Sequence, residues 1–232
     1  MTSAADAWKR AAAEAAAALV GDGMVVGLGT GSTAAFAVAA LGGRVARGLR
    51  IVGIPTSERT ADQARSLGIP LTGFAEHRRV DLTIDGADEI EPQSLDLIKG
   101  LGGALLREKI VASASDRLVI VADEGKLVGR LGERAPVPVE VVAFGWEVTA
   151  RRLADLGARA ARRTGADGQP FVTDGGNYIL DCAFGPIEDP AGLEARLARV
   201  VGVVESGLFV GLATEAIVAG ADGVQTITRR SP

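Results

Sequence analysis

The chain has 232 residues, 47% of them hydrophobic and 23% charged, as in ordinary globular proteins, which excludes a disordered or fibrous chain. Its formal net charge of −4 argues against a broad nucleic-acid surface, because such a surface needs clustered excess Lys and Arg. With one cysteine, Cys182, and one histidine, His77, the sequence allows neither an intrachain disulfide nor a metal site of the Cys/His type.

The alanine-rich N-terminal segment predicts a first helix rather than a signal peptide. Residues 9–20 are mostly apolar, but Asp6 and Glu14 interrupt the segment. Ser3 and Asp6 form a capping pattern, and Gly21-Asp22-Gly23 is typical of the end of a helix. Since no run reaches the roughly 18 apolar residues of a membrane helix, we expect a cytoplasmic protein that does not contact membranes.

Short apolar strands then alternate with helices as far as about residue 129. The four predicted strands are residues 24–29, 50–55, 81–85 and 117–122. The predicted helices are residues 32–41, a helix capped by Thr56 or Ser57, and residues 104–113. Buried strands of this length alternating with helices are typical of an α/β fold with a parallel sheet.

The segment after residue 129 predicts a different, smaller unit. Pro136 and Pro138 exclude a central strand at residues 136–142. Helices are predicted at residues 146–157 and 191–200, and two strands at residues 171–182 around a turn at 174–177. Two strands flanked by helices are typical of a compact α+β domain.

We expect this α+β domain, residues 130–206, to be inserted into a discontinuous α/β domain. Residues 1–129 form the first part of the larger domain and residues 207–232 the second, because short apolar strands with glycine turns return at 207–228. The chain length permits this arrangement, since roughly 100–200 residues per domain is usual.

The first motif with chemical content is the string Gly27-Leu28-Gly29-Thr30-Gly31-Ser32-Thr33-Ala34, between a strand and a helix. Glycines let the backbone approach an anion, and the start of the helix supplies free N–H groups and a positive dipole end. The string also fits a dinucleotide-binding fingerprint, but Pro-Thr-Ser at 55–57 stands where that site needs an acidic residue. The motif therefore predicts a phosphate-binding loop, with a purely structural turn as the alternative.

The second motif, Asp85-Gly86-Ala87-Asp88-Glu89, follows the third predicted strand. Ligands of parallel α/β sheets bind beyond the carboxyl ends of the strands. Two carboxylates three residues apart suit acid/base chemistry or the binding of sugar hydroxyls. A metal site is an alternative that lacks partner histidines, and a solvated acidic turn is the other.

The third motif runs from Lys99, through glycines at 100, 102 and 103, to Arg107-Glu108-Lys109. A carboxylate near a lysine and free backbone N–H groups suits removal of a proton next to a carbonyl, because the cations and amides stabilise the enediolate oxygen. Taken alone, residues 107–109 indicate a surface charge cluster and Lys126 an ordinary loop lysine.

Together these segments resemble the type A ribose-5-phosphate isomerases. Matching segments occur in the family's order and spacing at residues 29–33, 85–89, 99–102, 107–109, 136–140 and 173–177. The resemblance implies a Rossmann-like parallel-sheet domain with an inserted, ferredoxin-like α+β domain. It also implies reversible isomerisation of D-ribose 5-phosphate and D-ribulose 5-phosphate, in the non-oxidative branch of the pentose phosphate pathway. It implies no cofactor or metal, and a homodimer more often than a tetramer.

The resemblance also implies a role for each matching residue. Glu108 would be the general base that moves a proton between C2 and C1 through a cis-enediolate. Asp85, with Asp88 close by, would assist ring opening and proton movement at the sugar oxygens, and Lys99 with the amides of 100–102 would stabilise the oxyanion. The implied substrate-binding residues are Lys9, Thr30, Gly31, Ser32, Thr33, Asp85, Gly86, Ala87, Asp88, Lys99, Gly100, Leu101, Gly102 and Lys126.

The sequence departs from the family pattern at one position, and three related protein classes are alternatives to the isomerase. Leu101 stands where the family often has Gly or Arg, which matters if its side chain borders the sugar. Amino-sugar phosphate deaminases rely on a catalytic histidine, whereas His77 is expected at the surface. Sugar-phosphate sensors of bacterial repressors need a DNA-binding module, and only about 23 residues precede the first strand. A coenzyme A transferase would use a glutamate nucleophile, for which Glu108 is the candidate.

Overall fold

The computed structural model describes residues 4–229. The helices are α1 (Ala4–Ala18), α2 (Ser32–Val45), α3 (Glu58–Ser66), α4 (Leu105–Ser113), α5 (Trp146–Asp155) and α6 (Pro190–Leu197). The strands are β1 (Val25–Leu28), β2 (Val52–Pro55), β3 (Leu82–Gly86), β4 (Glu89–Ile90), β5 (Leu97–Ile98), β6 (Leu118–Asp123), β7 (Val137–Val141), β8 (Arg159–Arg162), β9 (Tyr178–Ala183), β10 (Val203–Ser206), β11 (Leu208–Phe209), β12 (Glu215–Gly220) and β13 (Gly223–Thr228).

Six strands form the main sheet, in the order β13-β12-β6-β3-β1-β2. The strands from β12 to β2 are parallel, and β13 pairs antiparallel with β12 at one edge. This arrangement confirms the predicted Rossmann-like sheet of an α/β fold. The short strands β11, β5 and β4 form a separate antiparallel sheet.

Alternate residues of the central strands pack into cores on opposite faces of the main sheet. Val119 and Val121 of β6 lie in a core with α1 and α2, whereas Leu118 and Ile120 lie in a second core with Phe209. This alternation is what a strand buried on both faces requires. Apart from Phe209, the largest fully buried side chains are Leu and Ile.

The predicted first helix is α1, whose alanines at 12, 13 and 16 are fully buried. Ser3, which the sequence assigns to its cap, lies outside the described residues. None of the helices described here combines the length and apolar character needed to span a membrane.

A four-stranded antiparallel sheet, in the order β10-β7-β9-β8, forms a second unit with α5 and α6. Its β-α-β-β-α-β chain order is that of ferredoxin-like domains, which confirms the predicted fold class. Its core also includes Ile98, Val128 and Leu208, from outside residues 130–206. The domain boundaries at residues 130 and 206 therefore stay a prediction.

The exclusion of a central strand at residues 136–142 is wrong. β7 lies between β10 and β9 with Pro138 inside it, and its ladder with β10 begins one residue later, at Val139 opposite Ser206. Gly207 stands beside Pro138 and donates its N–H to the Pro138 carbonyl, where a side chain would collide with the proline ring. The missing N–H of Pro138 thus falls just past the end of the ladder and costs no strand hydrogen bond.

The predicted strand pair within residues 171–182 is wrong in its first member. Only β9 forms there, and Val172 makes a single bridge to Tyr178. β9 pairs instead with β7 on one side and with β8 on the other, and the sequence of β8 is Arg-Ala-Ala-Arg. Such a sequence lacks the apolar alternation by which a strand is recognised.

Candidate active site

Three segments meet beyond the carboxyl ends of β1 and β3. One is the turn from β1 into α2, the second follows β3, and the third connects β5 to α4. They line a cavity of about 70 Å³ that is partly open to solvent. The residues that line it are Thr30, Gly31, Ser32, Thr33, Gly86, Ala87, Asp88, Lys99, Gly100, Gly102, Glu108 and Lys126.

Three charged side chains are buried together at this cavity. Lys99 Nζ lies 3.0 Å from Asp85 Oδ2 and 3.2 Å from Glu108 Oε1. It also donates to the Gly86 carbonyl at 2.6 Å, so its three protons all have acceptors. The side chains of Lys99, Asp85 and Glu108 are 2%, 1% and 4% exposed. One buried ammonium therefore serves two buried carboxylates.

The two carboxylates differ in their remaining partners. Asp85 Oδ1 accepts the N–H groups of Thr30 at 3.1 Å and Gly86 at 2.7 Å. Glu108 Oε2 is buried and has no partner within residues 4–229. Because hydrogen bonds to the charged form favour ionisation, Asp85 holds the negative charge more readily than Glu108 does.

The electrostatics of the site set the protonation of these groups. Burial and, to a smaller extent, the Asp85 charge outweigh the opposing effect of Lys99 and together raise the pKa of Glu108 to about 8. Burial likewise raises the pKa of Asp85, against Lys99 and the two N–H groups. Burial alone would lower the pKa of Lys99, but the Asp85 and Glu108 carboxylates outweigh it and raise that pKa above its ordinary value. Glu108 is thus a carboxyl group that accepts and releases a proton near neutral pH.

Glycines at two positions allow the turn after β1 to approach this cluster. A Cβ at Gly29 would lie 2.3 Å from Asp85 Oδ1, so a larger residue cannot stand there without displacing Asp85. Gly31 has a φ of 132°, a conformation that other residues rarely adopt, and it precedes the first residue of α2. Since Gly31 offers no side-chain cap, the first N–H groups of α2 remain available to an anion.

A cluster of buried hydroxyl groups fixes the same turn from the other side. Thr30 Oγ1 lies 2.7 Å from Thr56 Oγ1, 2.8 Å from Ser57 Oγ and 3.0 Å from Thr60 Oγ1. The sequence predicts a helix cap at Thr56 or Ser57, and Ser57 does cap α3, where its Oγ accepts the Thr60 N–H. Ser57 also contacts Thr30, which lies 27 residues earlier in the chain, so no local sequence pattern predicts this contact.

Three of the predicted substrate-binding residues lie outside the cavity lining. Lys9 is on α1, and Asp85 is buried beneath Lys99. Leu101 is 43% exposed, and its backbone N–H donates to Asp88 Oδ2 at 2.9 Å. Leu101, the predicted departure from the family pattern, therefore does not line the cavity. The other predicted binding residues all line it, and their contacts with a substrate stay a prediction.

The remaining singled-out residues lie elsewhere. His77 is in a turn that its own N–H closes on the Gly73 carbonyl. Cys182 is in the core of the second sheet, where burial raises the pKa of its thiol to about 12. Within the described residues, no group of three or more His, Cys, Asp or Glu side chains is arranged to hold a metal ion.

Comparison with known proteins places this geometry in a family. The family model for ribose 5-phosphate isomerase A (phosphoriboisomerase A) matches residues 52–223. The ribose-5-phosphate isomerase A of Gloeobacter violaceus is 63% identical over 223 residues, which are 96% of each chain. The structure of ribose 5-phosphate isomerase A from Methanocaldococcus jannaschii superposes with a TM-score of 0.93 at 41% identity, covering 97% of this chain and 99% of that one.

A further solved structure, a D-ribose-5-phosphate isomerase in complex with phospho-erythronic acid, superposes with a TM-score of 0.94 at 38% identity. It covers 99% of this chain and 100% of the relative. Sequence and structure thus agree over nearly the full length of these relatives. This chain belongs to the ribose-5-phosphate isomerase A family and is an aldose–ketose isomerase.

Proposed function

We propose that this enzyme interconverts D-ribose 5-phosphate and D-ribulose 5-phosphate through a cis-enediolate, with Glu108 as the general base. One observation carries the proposal: Glu108 lines the cavity, and its buried Oε2 has no partner in the described chain. A pKa of about 8 makes this group a stronger base than an exposed glutamate. Lys99, 3.2 Å from its other oxygen, brings a positive charge to the place where an oxyanion develops.

The reaction is a proton transfer that leaves the enzyme unchanged. Glu108 removes the proton from C2 of the open-chain aldose, the C2–H electrons form a C1–C2 double bond, and the carbonyl electrons move onto O1. The hydroxyl proton of O2 then passes to O1 as the C2 carbonyl forms. The double-bond electrons take the proton back from Glu108 at C1, which regenerates the carboxylate.

The neighbouring acidic residues contribute in different ways. Asp88 lines the cavity, and its Oδ2 is held by Leu101 N–H, which fixes the carboxylate for contact with sugar hydroxyls during ring opening. Asp85 does not line the cavity, so its assistance reaches the sugar through Lys99, whose ammonium it holds at 3.0 Å. Asp85 also raises the pKa of Glu108 through its charge.

The phosphate binds at the opposite side of the cavity, at the start of α2. Ser32 and Thr33 are the first two residues of that helix, and Lys126 follows β6 in a 3-10 turn at Glu124–Lys126. All three line the cavity. Binding the phosphate there orients C1 and C2 against Glu108, so binding energy remote from the reaction lowers its barrier.

The test is ketose formation from D-ribose 5-phosphate by the purified protein in excess EDTA. We compare the wild type with Glu108→Gln, and with Glu147→Gln as the matched control at an exposed position on α5. Turnover should fall by about 10²–10⁴-fold in Glu108→Gln, the usual contribution of general acid–base catalysis, and stay at the wild-type level in Glu147→Gln.

Phospho-erythronic acid measures binding in the same variants, because its carboxylate oxygens resemble the charged oxygens of the enediolate. Its affinity should remain within a few-fold in Glu108→Gln, since neither the phosphate site nor Lys99 is altered. Near-normal turnover in Glu108→Gln would remove Glu108 from its role as the base.

The family resemblance supports three further proposals about this enzyme. It acts in the non-oxidative branch of the pentose phosphate pathway, it acts in the cytoplasm, and it forms a homodimer. Sedimentation equilibrium tests the last of these: a mass of twice the chain supports it, and a single-chain mass at all concentrations contradicts it.

A further inference from the structure

The backbone between β5 and α4 presents its amide groups to the cavity in a fixed pattern. Leu101 N–H donates to Asp88 Oδ2 at 2.9 Å and is therefore not free for a substrate. Gly102 lines the cavity, and its N–H has no acceptor in the part of the chain that the structure describes. Gly102 thus offers the cavity a backbone donor that the protein itself does not use.

Arg163, which directly follows β8 in the second sheet, holds the carbonyl side of these peptide groups. Its Nη1 donates to the Gly100 carbonyl at 2.9 Å and to the Leu101 carbonyl at 3.0 Å. The C=O and N–H of a trans peptide point in opposite directions, so holding both carbonyls turns both N–H groups away from Arg163. The Leu101 N–H has this orientation, because it donates to Asp88 at the cavity. The Gly102 N–H belongs to the peptide group whose carbonyl, that of Leu101, accepts from Arg163, so Arg163 orients this N–H as well.

The guanidinium of Arg163 is itself held in place. Its Nε donates to Asp181 Oδ2 at 2.9 Å, and its Nη2 donates to Asp181 Oδ1. This two-point pairing fixes the plane of the guanidinium, which a lysine ammonium cannot reproduce. The Arg163 side chain is only 13% exposed, and neither Arg163 nor Asp181 lines the cavity. The hydrogen bonds of Arg163 to the carbonyls at 100 and 101 therefore connect it to the backbone of the cavity wall, and its guanidinium also lies 5.8 Å from the centre of the Phe171 ring.

We propose that Arg163 is a positioning residue for the isomerisation, which aligns the Gly102 N–H with the oxygen that becomes negative in the enediolate. The inference rests on the proposed function, because the oxyanion belongs to that reaction. Arg163 reaches this site from the second sheet, 61 positions after Gly102 in the chain. The second sheet thereby takes part in catalysis through one side chain.

The test compares Arg163→Met with Arg162→Met, a matched change in the adjacent residue, whose guanidinium stacks 4.5 Å over the Trp146 ring instead. Arg163→Met should lower kcat by roughly 10–100-fold, since a misplaced oxyanion donor forfeits much of its contribution. KM for D-ribose 5-phosphate should change by less than about threefold, and Arg162→Met should keep the wild-type kcat.

The pH profile separates positioning from a general loosening of the fold. Arg163 does not touch Glu108, Lys99 or Asp85, so the pH at which kcat/KM rises should be the same in Arg163→Met as in the wild type. A loosened site would admit water to Glu108 and move that rise to lower pH, which would overturn the proposal. A wild-type kcat in folded Arg163→Met, or equal losses in both methionine variants, would overturn it as well.

Two milder variants decide the question if Arg163→Met does not fold. Arg163→Lys retains a cation that donates to the carbonyls, and Asp181→Asn loosens the guanidinium without removing it. Both should lower kcat less than tenfold with KM nearly unchanged. A wild-type kcat in both variants would contradict the proposal.

Binding measurements keep this inference separate from the proposed function. If the wild type does not isomerise D-ribose 5-phosphate, the proposed function fails, and calorimetry with phospho-erythronic acid and inorganic phosphate then decides the role of Arg163. Arg163→Met should bind phospho-erythronic acid at least about threefold more weakly than the wild type, and bind phosphate equally. Equal affinity for both ligands would contradict the alignment of Gly102.

Discussion

Lys99 Nζ lies 3.2 Å from Glu108 Oε1, while Oε2 of the same carboxylate has no partner within the described chain. One oxygen of Glu108 is therefore held, and the other is free to take a proton. Burial and the nearby Asp85 charge raise the pKa of this carboxyl to about 8. Each of these features bears on a measurable property of the enzyme.

The first prediction concerns the pH dependence of kcat/KM. Glu108 must be ionised to remove a proton, so kcat/KM should rise with pH up to an apparent pKa near 8 and then level off. Asp85→Asn removes the neighbouring negative charge, so that Lys99 pairs with Glu108 alone and the pKa of Glu108 falls. The rise in kcat/KM should therefore occur at lower pH in this variant. The ionisation of the substrate phosphate, with a pKa of about 6, is common to both profiles. An unmoved profile in Asp85→Asn would contradict this coupling.

The second prediction concerns stability. The pKa of Glu108 is raised from 4.5 to about 8 in the folded enzyme, so between these values the folded state binds a proton that the unfolded state has lost. The free energy of unfolding should therefore fall as pH rises from about 4.5 to 8, on account of this group.

Glu108→Gln removes this pH-dependent contribution. The Tm of Glu108→Gln minus that of the wild type should increase by several degrees from pH 5 to pH 9, since about 1 kcal/mol moves Tm by about 2–4 °C at this size. Scanning calorimetry of both proteins measures the difference. A Tm difference that does not change with pH would mean that Glu108 has an ordinary pKa in the folded enzyme.

The third prediction concerns Gly29. A Cβ there would lie 2.3 Å from Asp85 Oδ1 and 2.5 Å from Asp85 Cα, so Gly29→Ala should displace Asp85 from Lys99. We expect a loss of about 1–3 kcal/mol of stability together with a fall in kcat. Gly43→Ala is the matched control, because its new Cβ would meet nothing closer than 3.7 Å on the surface of α2.

The Gly43→Ala variant should be more stable than the wild type by about 0.5–1 kcal/mol, with unchanged kcat, because alanine favours a helix. Denaturant unfolding and steady-state kinetics on both variants test the pair. A wild-type kcat in Gly29→Ala would mean that catalysis does not depend on the observed position of Asp85.

The fourth prediction concerns the phosphate site. Ser32→Ala combined with Thr33→Ala should raise KM by at least about tenfold, since a hydrogen bond to a charged group contributes about 1.5–3 kcal/mol. Thr226→Ala, in the exposed edge strand β13, should leave KM unchanged. An unchanged KM in the double variant would mean that the phosphate binds elsewhere.

Two parts of the site can be predicted from the sequence because each is formed by residues adjacent in the chain. The strand-to-helix turn at 29–33 and the acidic segment at 85–89 combine glycines with polar groups directly after apolar strands, and such segments follow the rules of parallel sheets. Both segments lie at the cavity.

Other features escaped prediction because they depend on partners distant in the chain. Pro138 is tolerated in a central strand because the ladder between β7 and β10 begins only after it, next to Gly207. Arg163 meets the carbonyls at 100 and 101 across more than sixty residues. The placement of Asp85 against Lys99, outside the cavity lining, likewise depends on a contact between residues of different sheets, since Asp85 is in β3 and Lys99 follows β5.

The most direct measurement of the central claim is hydrogen exchange during turnover. D-ribose 5-phosphate is converted in D2O with excess EDTA and followed by proton NMR, using the wild type, Glu108→Gln and Glu147→Gln. A base that takes the C2 proton exchanges it with solvent, so the wild type and Glu147→Gln should place deuterium at C1 of the ketose. Glu108→Gln should place almost none while still binding phospho-erythronic acid. Deuterium entering at the wild-type rate in Glu108→Gln would contradict the assignment of Glu108 as the base.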